Sequence, residues 1–210
     1  MTEDPDFKSG GDPFGDSSGE QPAAPEPVHL PSAPLQPMPK LWVGYLLALA
    51  TFIGEMIAVA RHPEILNPPD PGKDAVFSVP PLEIFLPVFV SYVYWLVCVY
   101  RYHKILAAVP RYKHPISPAK AVGFHFIPLF WVIWLFIWPK KIADFVNARF
   151  KNPLMRGWVF GVGFMGAMLC QVFLDPGLGI ALLFVSTSYV GGFLARALSI
   201  PGDSPPGISP

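Results

Sequence analysis

Glu55 is the residue least in keeping with its neighbours. It is the one charge in LWVGYLLALATFIGEMIAVA, residues 41–60. A carboxylate inside a stretch that apolar costs a few kcal/mol unless it is neutral or paired. Two kinds of chemistry follow. Glu55 is a proton or cation carrier, or it is a hydrogen-bonded acid that fixes helix packing. The spacing around it favours packing. Gly44, Ala48, Thr51, Glu55, Ala58 and His62 recur at intervals of four and three, a seam of small and polar groups that should face other helices. Tyr92, Tyr94, Ser186, Ser188 and Arg196 are candidate partners in other apolar segments. Arg196 is the charged one.

The five histidines are His29, His62, His103, His114 and His125. None has the spacing of a helical metal pair. His103 and His125 could face each other across a haem, but polar anchoring is the commoner use of such residues. Cys98 and Cys170 lie in apolar runs and read as small packing residues. There is no glycine-rich phosphate loop and no nucleophile elbow. Ser186, Thr187 and Ser188 read as interhelical hydrogen bonders. The residues therefore predict no catalytic set, no metal and no cofactor, and a protein that is not an enzyme.

Elements to hold these residues are plain from composition. Of the 210 residues, 52% are hydrophobic and 14% are charged, and mean hydropathy is +0.41. Soluble domains carry about 25% charged residues, so this chain cannot coat a water-facing surface and its expected partner is a lipid bilayer. Five apolar runs, 41–60, 82–108, 121–138, 157–174 and 178–198, predict an all-α integral membrane protein of four or five transmembrane helices. Asp175-Pro176-Gly177 is a tight turn that makes the last two an antiparallel hairpin. Residues 139–151 carry Ile142, Phe145, Val146 and Phe150 on one helical face, with Lys140, Lys141, Asp144 and Asn147 opposite. That pattern predicts a helix lying on the membrane surface. Residues 1–40, acidic and rich in proline, and residues 199–210 read as disordered tails. No basic and apolar leader resembling a cleavable signal precedes the first run.

The third run is ambiguous. Eighteen residues can span, but Pro128 interrupts it and seven of its residues are aromatic. Arg101, Lys104, Arg111, Lys113, Lys120, Lys140, Lys141, Arg149, Lys151 and Arg156 flank it on both sides. Cytoplasmic loops collect such bases. If the run spans, they divide evenly between the two faces. If it re-enters, 13 of the 15 Lys and Arg share a face with a cytoplasmic N-terminus, leaving only Arg61 and Lys73 outside. The bias favours four spans with one re-entrant segment. The two threadings differ in one contact: five spans would bring Glu55 and Arg196 to one face, and four would separate them.

Gly157 and Gly161, Gly163 and Ala167, and Ser188 and Gly192 are small pairs that permit close helix approach. Packing within the hairpin is their expected use, and a homo-oligomer contact is the alternative. In the tail, Pro31, Pro34 and Pro37 recur at the period of a polyproline II helix. That edge is either a stiff spacer or a surface for a protein partner. No basic patch interleaved with aromatics suggests nucleic acid.

The segment Lys120 to Asn147 resembles one found in uncharacterised bacterial multi-pass membrane proteins. The matching positions are Ala121 to Phe124, Phe126 to Pro128, Trp134 and Trp138-Pro139. That pattern often places an asparagine where this chain has Trp131. The resemblance implies a bacterial inner-membrane protein and no particular activity. The sequence thus predicts a non-enzymatic scaffold or accessory subunit, with a small transporter or ion-conducting protein using Glu55 as the alternative.

Overall fold

The computed structural model of the protein describes residues 37–63, 80–109, 112–150 and 153–200. Among these the regular elements are all helical: α1 (Trp42–Arg61), α2 (Leu82–Ala107), α3 (Pro118–Gly123), α4 (Phe130–Phe150), α5 (Gly157–Phe173) and α6 (Pro176–Ser199). Helices α1, α2 and α6 are long and apolar enough to cross a membrane, and α5 is a shorter apolar helix of 17 residues. The chain is therefore a helical membrane protein by length and composition. The expected count of four or five spanning helices is not reached on this criterion, because α5 is short and the third apolar run does not form one helix.

Local chemistry sets the helix starts. Pro81 precedes α2. The Ser117 side chain accepts from the Lys120 N–H at 3.3 Å ahead of Pro118. The Asp175 carboxylate accepts from the Leu178 N–H at 2.6 Å ahead of Pro176. An N-cap acceptor followed by proline in the first turn is a strong helix start. At the α5–α6 turn the N–H groups of Leu174 and Asp175 both donate to the Cys170 carbonyl, each at 2.9 Å. The hairpin expected from Asp-Pro-Gly is present.

Helix α1 lies antiparallel to α2 and to α6. Arg61 at its end pairs with Glu83 at the start of α2 at 2.7 Å. Near its beginning, Tyr45 shares a hydrogen bond of 2.7 Å with Ser188 in the second half of α6. The Tyr94 hydroxyl donates to the Lys40 carbonyl at 2.7 Å, and Met38 packs against the core. The last residues of the segment read as a disordered tail are thus docked on the bundle. Residues 1–36 and 201–210 lie outside the described residues, as does the polyproline edge at Pro31 and Pro34.

The third apolar run doubles back on itself. α3 continues as a single 3-10 turn, Phe124–Phe126, and the chain reverses at Ile127, Pro128 and Leu129. Leu129 has φ +62°, and the Phe130 N–H donates across it to the Pro128 carbonyl at 2.7 Å. This is the tight γ-type closure that costs a side-chain-bearing residue some backbone strain. α4 then packs against the 3-10 turn and, through Trp134, reaches the end of α3. The Trp134 indole N–H donates to the Ala121 carbonyl at 2.9 Å, and the Phe124 and Trp134 rings meet edge to face at 4.7 Å.

Residues 139–150 do not form a separate helix on a membrane surface. They continue α4 through Pro139 without a break. Ile142, Phe145 and Val146 are buried in the protein core, and Phe145 packs on Tyr112 at 4.9 Å. The amphipathic pattern was real, but its apolar face is covered by protein rather than by lipid.

Candidate functional site

The seam on α1 faces the bundle as its spacing requires. Gly44, Ala48, Thr51 and Ala58 are buried, while His62 at its end is exposed. Glu55, half-buried, accepts a hydrogen bond from the Gly177 N–H at 2.8 Å. The first amides of a helix have no partner within it, and they carry the positive end of its dipole. Glu55 supplies an acceptor from a neighbouring helix at the start of α6. Arg196 is exposed near the other end of the same helix. From Gly177 to Arg196 the helix advances 19 residues, about 28 Å at 1.5 Å per residue. Glu55 and Arg196 are therefore not brought together.

Of the other polar groups named from sequence, Tyr94 and Ser188 bond outside their own helices. Tyr45 and Ser188 bond each other, and the Ser188 hydroxyl also lies 2.7 Å from the Phe184 carbonyl. The Tyr102 hydroxyl donates to the Thr187 carbonyl at 3.1 Å. The small residues also sit at helix contacts, but Gly157 and Gly161 pack on α4 and not within the hairpin as their spacing suggested. Gly44 admits the Phe184 ring, Gly157 meets the Lys140 backbone, Gly161 admits the Phe136 ring, and Gly163 faces the Ser186 hydroxyl. Ala167 is buried. Gly192 is exposed with open space around it, so the Ser188–Gly192 pair divides between an inward serine and an outward glycine.

A chain of histidines and tryptophans runs through the half of the bundle that α2, α3 and α4 share. The His103 Nδ1 and the His114 Nε2 share a hydrogen bond of 2.6 Å. His103 lies 6.1 Å from Trp138, Trp138 lies 6.3 Å from Trp95, and Trp95 meets His125 edge to face at 5.0 Å. His103 and His125 thus belong to one cluster, joined through indole rings rather than across a ligand. The Nε2 of His103, the Nδ1 of His114, both ring nitrogens of His125 and the indole nitrogens of Trp95 and Trp138 are buried without a hydrogen-bond partner. Among the described residues no three His, Cys, Asp or Glu side chains group as a metal site.

His114 sits on the loop between α2 and α3. Burial pushes its imidazole down from the usual value near 6.5 to about 4. The folded state therefore favours the neutral ring. This contribution to stability is fully present above pH 6.5 and is lost as pH falls toward 4. The unfolding midpoint of the purified protein is expected to drop between pH 7 and pH 4.5, with a smaller drop in His114→Asn. An unchanged profile in that variant would show that other groups set the acid limit.

Two contacts had no sequence signal. Asn147 and Met155 form a reciprocal pair, side-chain amide to carbonyl and backbone N–H to side-chain oxygen, each at 2.8 Å. Arg149 donates to the carbonyls of Ala197 at 3.4 Å and Ile200 at 2.6 Å, satisfying free acceptors at the end of α6. Both residues read as ordinary polar members of a helix face. Their partners lie across loops or on another helix, where periodicity carries no information.

The apolar side chains around His125 leave a cavity of about 260 Å³ lined by Tyr92, His125, Trp131, Leu135 and Met168. It lies between α2, α4 and α5. No protein-family model, curated protein or solved structure matches this chain.

Proposed function

We propose that the protein is a non-enzymatic scaffold or accessory subunit of a bacterial inner membrane. In this reading α1, α2, α5 and α6 cross the bilayer, and residues 112–150 enter and leave on the cytoplasmic side. Both termini are cytoplasmic. The observation that carries the threading is the reversal at Ile127 to Leu129. One limb of the reversal roots at His114, against His103 near the end of α2. The other roots at Arg149, against Ile200 at the end of α6. This threading gathers 13 of the 15 Lys and Arg on one face. Helix α5 then spans as a short segment of about 26 Å at 1.5 Å per residue, which a bilayer accommodates by local thinning.

The scaffold reading is supported by how the intramembrane polar groups are used. Glu55, Tyr45, Ser188 and Tyr102 each bond another helix. Such bonds hold a fixed platform, and in this reading the acidic, proline-rich leading segment recruits a soluble partner. The separation of Glu55 from Arg196 gives the transporter alternative no added support.

Cysteine accessibility tests the threading in a chain whose Cys98 and Cys170 have been replaced. Pro115→Cys, Asn152→Cys and Ser204→Cys are expected to label from the cytoplasmic side, and Ile65→Cys from the other. Labelling of Asn152→Cys opposite to Pro115→Cys would discard it. Deleting residues 1–36 is expected to leave insertion intact and abolish recovery of partner proteins from mild detergent. Equal recovery with and without the segment would refute the scaffold role assigned to it.

A further inference from the structure

The cavity beside His125 combines four properties. Its volume of about 260 Å³ is below the roughly 300–1,000 Å³ of most drug-sized ligand sites. It is larger than the cavities of about 150 Å³ that hold benzene. It therefore fits one substituted six-membered ring and not a haem or a whole lipid. Two of its walls, Tyr92 and Trp131, are aromatic, which suits a flat guest. Tyr92, Trp131 and Met168 are only half-buried, so the cavity has a mouth on the outside of the bundle. Tyr92 and Met168 lie well inside α2 and α5, away from the helix ends. A guest would enter from the apolar surroundings of the bundle, and a long tail on it could stay there.

The fourth property is His125. Its side chain is 6% exposed, it lines the cavity, and neither ring nitrogen has a hydrogen-bond partner. The carbonyls of Ala121 and Val122 lie close enough to act on the ring electrostatically but do not complete a bond. A buried polar group without a partner is costly, and a guest with an oxygen at its rim would relieve that cost. Neutral imidazole has one donor and one acceptor. It can therefore donate to a ring carbonyl and accept from a ring hydroxyl.

We propose that this cavity binds the ring of a lipid-soluble quinone or quinol, with His125 hydrogen-bonded to a ring oxygen, Tyr92 and Trp131 against the ring faces, and the tail in lipid. The proposal concerns binding alone. It needs the bundle to sit in a bilayer but does not depend on the scaffold role or on the number of passes.

The test uses the full chain in nanodiscs and a decyl-substituted 1,4-benzoquinone as probe, with decylbenzene as the control lacking oxygen. Saturable binding of the quinone, read by thermal shift and tryptophan fluorescence, is expected, with decylbenzene at least roughly tenfold weaker. His125→Phe is expected to weaken quinone binding by roughly tenfold. Met168→Trp, which fills the cavity, is expected to abolish it while the protein stays monodisperse. If His125→Phe does not fold, Met168→Trp decides. Equal binding of quinone and decylbenzene would overturn the proposal, as would quenching that never saturates or that survives in folded Met168→Trp.

Discussion

Gly179→Ala is expected to lower the unfolding free energy by about 3 kcal/mol, the upper part of the range for overpacking. Gly192→Ala, in the same helix, is expected to leave it unchanged or raise it by up to about 1 kcal/mol. A Cβ on Gly179 would lie 2.5–2.6 Å from the backbone N, the Cα and the Cβ of Gln171 in α5. A side chain can turn away from such a clash, but a helix backbone must move as a unit. Gly192 has nothing within 4 Å, so there an added methyl only improves helix propensity. Unfolding of the detergent-purified variants by SDS titration or heat checks both. Similar shifts for the two variants would mean that α5 and α6 do not meet at Gly179.

Trp95→Ala is the second large effect, expected to cost about 3 kcal/mol, the lower end of the range for tryptophan truncation. The lower end applies because lipid is already apolar, which leaves mainly lost packing rather than lost transfer from water. Trp95 is fully buried. It touches Tyr92 at 5.4 Å, His125 at 5.0 Å, Phe164 at 5.9 Å and Trp138 at 6.3 Å between ring centres. Three other elements, the 3-10 turn, α4 and α5, therefore lose a common neighbour. Trp158, 60% exposed, is the matched control, and Trp158→Ala is expected to shift the same unfolding midpoint by less than about 0.5 kcal/mol. A small effect at Trp95 would mean that the aromatic core repacks freely.

Much of the helical order was legible in the sequence because hydropathy and turn chemistry act locally. The runs 41–60, 82–108, 157–174 and 178–198 match α1, α2, α5 and α6 within a residue or two. Pro128 marked the interruption of the third run. The same local reading underestimated α4, since Pro139 looked like a helix start and stands inside one. Proline is tolerated there because the helix is packed on both sides of it, with Trp138 and Ile142 fully buried. The face of Glu55 was also legible, through the four-and-three spacing of small residues. Its partner was not, because the acceptor meets a backbone amide, which any residue except proline at position 177 would have offered. The His103–His114 and Trp95–His125 contacts depend on the fold-back of α3, and no periodicity encodes which residues a reversal brings alongside a distant helix.

The first helix is tied to the rest at three separate heights. Arg61 is bridged to Glu83 at one end, Glu55 holds the Gly177 amide at the start of α6, and Tyr45 and Tyr94 fasten the other end through Ser188 and Lys40. None of these ties runs through the peptide connecting it to its successor. Scission of that connector by a protease would leave two polypeptides that stay assembled, and the leading fragment could be supplied as a separate gene product and still find its seat.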